Sequence, residues 1–198
     1  MPPTPTTRTL VLKLIGNIIT LSPSRDQVLL YKQLLEPANP FEQIRVQALS
    51  LLRDAIASPT TAVIHPSLLE HLGPVLYTIP SSSASTLHMA SLSHLLPQSP
   101  DAPPLHLSKA QIVDTMFPAW FTDSANVLRL LIQRDEAGVS GVRKPGWMSG
   151  VMDQWVGPQM TRVAELRVEG TGEAQVEFVL DRWQDALERL RETIITLK

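Results

Sequence analysis

The residues best suited to chemistry are few and scattered. Histidines stand at 65, 71, 88, 94 and 106. His65 and His71 are six apart, as are His88 and His94. Six residues turn a helix through about 240°, so neither pair can close on one metal ion. All five read as ordinary surface or interface histidines. "GWMSG", residues 146–150, sets a serine between glycines, but its order is G-x-x-S-G and no strand precedes it. It is not the strained turn that exposes a serine nucleophile. No glycine loop has the phosphate or dinucleotide pattern. The acidic residues offer no pair of acid and base. The chain has no cysteine, which excludes thiol catalysis, disulfides and cysteine-ligated metals. No catalytic residue, metal site or cofactor is expected. A small helical enzyme with an unrecognised site stands as the alternative of a different class.

The bulk numbers point the same way. The chain has 198 residues, 43% hydrophobic and 18% charged, which is room for one core or one run of repeats. A net charge of -2 supplies no field for nucleic acid or an anionic membrane. "LVLKLIGNIITL", residues 10–21, is too short to span a bilayer and contains Lys13 and Asn17, so it reads as a core helix. The lack of cysteine fits a reducing compartment. The cytoplasm is the expected location, with the nucleus as a second one.

Any interaction site must therefore be positioned by helices. Residues 1–7, "MPPTPTT", read as a disordered lead. The first helix is expected over 8–21. The second opens at Ser22-Pro23, an N-cap and a proline at the first helical position, and stops before Pro37. A third runs from Pro40 to Ser58 and a fourth over about 66–72, to which "GPVLYTIP" could add a short turn. Loops near 80–86 and 97–107 flank a short helix, "LHMASLSHLL". A capping box at Ser108 and Gln111 starts a sixth helix, which Pro118 should kink or stop. A seventh, "SANVLRLLIQRD", leads to a loop with Gly138 and Gly141. The eighth runs from Pro145 to about 168. The ninth fills 173–197, with Val176, Leu180, Trp183, Leu187, Leu190, Ile194 and Leu197 in a heptad seam. That seam is expected to lie antiparallel on the eighth helix. No segment alternates like a strand.

Two features suggest binding surfaces. Arg45 falls inside the apolar arc of the third helix, among Phe41, Ile44, Ala48, Leu51, Leu52, Ala55 and Ile56. The order Pro40, Ile44-Arg45, Ala48, Leu52 resembles the second helix of a HEAT-type repeat, which is covered on two sides. There the arginine would lie between repeats, its stem on apolar surface and its head on a neighbouring carboxylate or helix end. Asp26 and Glu36 are candidates for the charge. A snorkelling arginine at the edge of a bundle is the plainer alternative. Of the four tryptophans, Trp155 and Trp183 read as core, whereas Trp147, beside "VRKPG", is a candidate exposed anchor for a partner.

Two blocks also resemble a known family. Residues 10–56, with Pro23, Gln27, Phe41, Ile44, Arg45, Val46 and Ala48, are similar to a block of the glomulin-like proteins. That family includes the fungal YAP-binding proteins and the plant lateral-root-formation proteins. Residues 126–147, with Asn126, Leu130, Leu131, Arg134, Asp135 and Gly141, resemble a second family block. Family members are usually several times longer, so the resemblance implies a match to their C-terminal portion only. "ALSLLRD" replaces the small-residue run that usually follows the Arg-Val pair. The resemblance implies a helical-repeat scaffold and not a catalyst. In the fungal members it implies a protein partner in the oxidative-stress response, a bZIP factor or a peroxidase. In the animal member it implies masking of the RING subunit of a cullin ubiquitin ligase.

The expectation is thus an all-α, HEAT-like α-solenoid of about nine helices in antiparallel pairs. Residues 8–198 form one repeat domain that acts as a monomeric protein-binding adaptor. Neither nucleic acid nor membrane is an expected partner. The expected partner surface is Arg129, Arg134, Asp135, Arg143 and Trp147, with Arg45 as an inter-repeat residue.

Overall fold

The computed structural model describes residues 5–36, 42–58, 63–77, 109, 117–169 and 174–197. Most of them are helical, with no strand among them. In chain order the helices are α1 (Pro5–Leu21), α2 (Ser24–Leu35), α3 (Glu42–Ala57), α4 (Leu68–Leu76), α5 (Phe117–Arg134), α6 (145–168) and α7 (Ala174–Thr196). That makes seven among the described residues, against about nine expected. The expected helix at 87–96 and the loops near 80–86 and 97–107 lie outside the described residues. Around Pro118 the expectation needs correcting, because one helix covers 117–134 where a break and a new start at Ser124 were expected. Pro118 is the second described residue of this helix, which continues past it to Arg134. Ser124 is fully buried inside it.

Local chemistry explains several ends. α1 starts at Pro5, so the lead expected to be irregular over 1–7 is helical from its fifth residue. The Ser22 hydroxyl donates to the Ile18 carbonyl at 2.9 Å, so Ser22 closes α1 and does not cap α2. The buried Gln27 amide reaches back to the Ser22 carbonyl at 2.9 Å and the Thr20 carbonyl at 3.3 Å. One side chain thus satisfies orphan carbonyls of the preceding helix and fixes the α1–α2 turn. α4 runs from Leu68 through Gly73-Pro74 to Leu76, so the start of "GPVLYTIP" supplies its last turn.

α6 is continuous but not uniform. It is α-helical over Pro145–Val151, widens into a π turn over Met152–Val156 and resumes over Gly157–Val168. The Gly157 N–H donates to the Met152 carbonyl, five residues back. Pro158 has no N–H to offer the preceding turn, and the wider turn absorbs the mismatch. A Cβ on Gly157 would sit 3.2 Å from the Met152 oxygen, which favours glycine there.

The helices stack in order. α1 packs on α2 and α3, and α2 on α3 and α4. α3 packs on α5, and α5 on α7, which also lies against α6. α2 and α3 are antiparallel, since Tyr31 meets Leu51 while Arg45 meets Leu35. α3 and α5 are parallel: Arg45 meets Trp120, Ser50 and Arg53 meet Asp123, and Ser58 meets Arg134. The heptad seam of α7 is buried from Leu180 to Ile194. It faces α5 as well as α6, which the short turn before it did not indicate.

Trp155 and Trp183 are core, as expected. They join an aromatic cluster. Phe121 stacks on Trp183 at 5.2 Å and meets Trp155 edge-on at 6.4 Å. Tyr77 stands edge-on to Trp155 at 5.6 Å and to Trp147 at 5.8 Å. The Trp183 indole N–H donates to Gln159 Oε1 at 3.0 Å, so the buried indole keeps its hydrogen bond.

Candidate interaction site

Three of the five expected interface residues, Arg134, Asp135 and Arg143, lie at the C-terminal end of α5. Gly138 and Gly141 take φ of 67° and 81°, which lets the chain turn twice within a few residues. The buried Asp135 organises that turn. Its Oδ1 accepts the Val139 N–H at 2.7 Å, and its Oδ2 accepts the Ser140 N–H at 2.8 Å and the Ser140 hydroxyl at 2.6 Å. Asp135 is therefore committed to the loop and does not face a partner. Arg143 folds back on the end of α5, with Nε donating to the Ile132 carbonyl at 2.9 Å and Nη2 to the Gln133 carbonyl at 3.4 Å. A cation on these last carbonyls is well placed against the helix dipole. Arg134 donates to the Ser58 carbonyl at 3.2 Å and so ties α5 to the end of α3. Arg129 is half-buried, and its Nε has no partner among the described residues. The result is a basic end of α5 in which each guanidinium keeps N–H groups beyond the bonds just named.

Trp147 opens α6 next to this loop. It is half-buried against the core and edge-on to Tyr77, not an exposed ring. Burial pushes the Tyr77 phenol far above the usual range, and its hydroxyl has no partner among the described residues. Sequence reasoning missed Tyr77, because nothing local shows that the end of α4 meets the start of α6.

Arg45 is fully buried. Its Nε donates to the Leu35 carbonyl at 3.1 Å, at the last residue of α2. Its guanidinium carbon lies 5.1 Å from the centre of the Trp120 ring on α5. A helix end and an aromatic face receive the charge; Asp26 is exposed and Glu36 pairs with Lys32 at 3.4 Å. The residue joins α2, α3 and α5. The buried arc of α3 is also wider than expected, since Val46 and Leu49 belong to it.

A second polar contact lies between α3 and α5. The Ser50 hydroxyl donates to Asp123 Oδ2 at 3.4 Å, and Arg53 approaches Oδ1 at 3.6 Å. Burial raises the Asp123 carboxyl above its ordinary value despite Arg53, Ser50 and Arg182, and Asp54 adds to the rise. Tyr31, whose hydroxyl donates to the Leu51 carbonyl at 3.2 Å, is pushed up to about 12 by burial and by Asp54.

The histidines of the described residues play local roles. His65 Nδ1 lies 2.8 Å from the Ser67 hydroxyl and accepts the Ser67 N–H at 3.2 Å, at the start of α4. His71 is half-buried on α4. Among the described residues no three His, Asp or Glu side chains are grouped to hold a metal. "GWMSG" lies in the first turns of α6. No helix among the described residues is long and apolar enough to cross a membrane. Compared with protein-family models, curated proteins and solved structures, the chain matches none of them.

Proposed function

We propose that this protein is a non-enzymatic α-helical adaptor of the glomulin-like kind, acting in the cytoplasm and nucleus in the response to oxidative stress. The observation that carries the reading is the order of packing. Among the described helices α1 lies on α3, α2 on α4, α3 on α5 and α5 on α7. The parallel run of α3 and α5 is what a stack of helix pairs requires, and it supports a HEAT-like solenoid. Arg45 bridging α2, α3 and α5 supports it too. Stacks of this kind offer long side surfaces for another protein and need no cavity.

The partner surface of this reading is the basic end of α5, with Arg134 exposed, Arg129 and Arg143 half-buried, and Trp147 nearby. A bZIP factor or a peroxidase is the proposed partner. The test is affinity capture of the tagged chain from its own cells, with and without peroxide, read by mass spectrometry. Such a partner should appear or change with peroxide, and Arg134→Glu should weaken its recovery without lowering the melting temperature. Recovery of a cullin with its RING subunit would move the function to ubiquitin-ligase control. Recovery of chaperones alone would refute the adaptor reading.

A further inference from the structure

α1 is apolar on two faces, and among the described residues only one is covered. Ile19 is buried, Ile15 packs on the core, and Gly16 lies against Leu51 of α3. On the opposite side Leu10, Val11, Leu14, Ile18 and Leu21 are 62, 49, 59, 53 and 86% exposed. A helix that is apolar all round belongs in a place covered all round. α7, at the far end of the packing order, is different. It turns Asp181, Asp185, Glu188, Arg189 and Glu192 to water, with the exposed Phe178 and Ile195 set apart near its two ends. A charged outer face closes a helical stack; an apolar one leaves it open.

We propose that the outer face of α1 is a two-fold interface with a second copy of this chain. Four of the outward residues, Val11, Leu14, Ile18 and Leu21, are spaced three, four and three apart. That order reads the same in both directions. An antiparallel α1 from a second copy, with the axis level with Gly16, sets Leu14 opposite Ile18 and Val11 opposite Leu21, twice over. None of the paired positions is charged. The exposed Lys13 falls on the flank, beside the last turns of the other α1, where its charge suits the helix dipole. The charged face of α7 is no complement to this apolar strip, so copies close as pairs and do not chain head to tail. Uniting two such faces buries on the order of 1,000 Å², near the lower limit for a specific interface, so the pairing is reversible. It runs against the monomer expected from sequence, and it leaves the basic end of α5 free in both copies.

Sedimentation equilibrium of the full chain over a wide concentration range tests this directly. The mass should double as concentration rises, while Leu14→Glu/Ile18→Glu should remain monomeric and keep the thermal melt of the dilute native chain. Because the chain has no cysteine, a second arm needs no background removal. Leu14→Cys/Ile18→Cys should give a covalent dimer under mild oxidation, and Phe178→Cys on α7 should not. A native chain that stays monomeric, a glutamate variant that still doubles, or equal cross-linking through Phe178→Cys would each overturn the proposal. So would a monomer whose Leu14 and Ile18 instead bind anionic lipid vesicles.

Discussion

A guanidinium taken out of water has to be held on every side, and Arg45 is held by the Leu35 carbonyl and the face of Trp120. Lysine offers no plane to lay on the indole while it also reaches the carbonyl. Arg45→Lys should therefore cost about 1–2 kcal/mol, and Arg45→Ala, which also opens a cavity and strands a carbonyl, about 3 kcal/mol or more. Urea denaturation of both variants measures this; a lysine variant as stable as the native chain would show that the stacking contributes nothing. Asp123 makes the opposite case, a charge that is present but poorly accommodated. Its folded pKa lies above the ordinary 3.8, so the folded state holds the proton more tightly than the unfolded chain does. Its contribution to stability is then complete below pH 3.8 and is lost as pH rises through the folded pKa. Asp123→Asn keeps an acceptor for Ser50 and removes that loss. Stability curves of the two proteins should diverge as pH rises above 3.8, with the asparagine variant the more stable at neutral pH. Trp147 belongs at this scale as well. Half-buried beside Tyr77, it should cost about 2 kcal/mol when cut to alanine, so lost partner capture in that variant has to be corrected for lost fold.

At the scale of elements, the loop after α5 rests on one carboxylate. Asp135→Asn keeps the size of the side chain but replaces one acceptor with a donor facing a backbone N–H. The expected loss is about 2 kcal/mol, with faster proteolysis between 136 and 144. An unchanged cleavage rate would mean that the two positive-φ glycines hold the turn unaided. The same elements show what a sequence discloses. Trp183, Leu187, Leu190 and Ile194 announce a buried seam, because helical spacing survives whatever the seam packs on. Arg45 announces a shared surface, because no solvated face needs an arginine among leucines. Ser124 misleads, since serine is a good helix-starting residue, and only its burial shows that it sits inside one helix. Ser22 misleads in the same way, its hydroxyl having a closer carbonyl behind it than an N–H ahead. The π turn is written in Gly157-Pro158, but its cause becomes visible only once α6 is known to continue past the proline.

At the scale of the whole molecule, the stack has a middle and two unlike ends. α5 lies between α3 and α7 and buries residues on both sides, from Phe117 to Ile132. α1 is attached by one face to α2 and α3 and presents the other to water. Opening α1 exposes little that is not already wet, whereas opening α5 separates its two neighbours. Local unfolding should therefore run inward from α1. Native-state hydrogen exchange at low protein concentration should find the α1 amides the least protected of the helices and those of α5 the most. Raising the concentration should then slow exchange in α1 alone, because only its face gains cover from a second copy. Slow, concentration-independent exchange in α1 would mean that a single chain already covers this face, and the asymmetry between the ends of the stack would vanish with it.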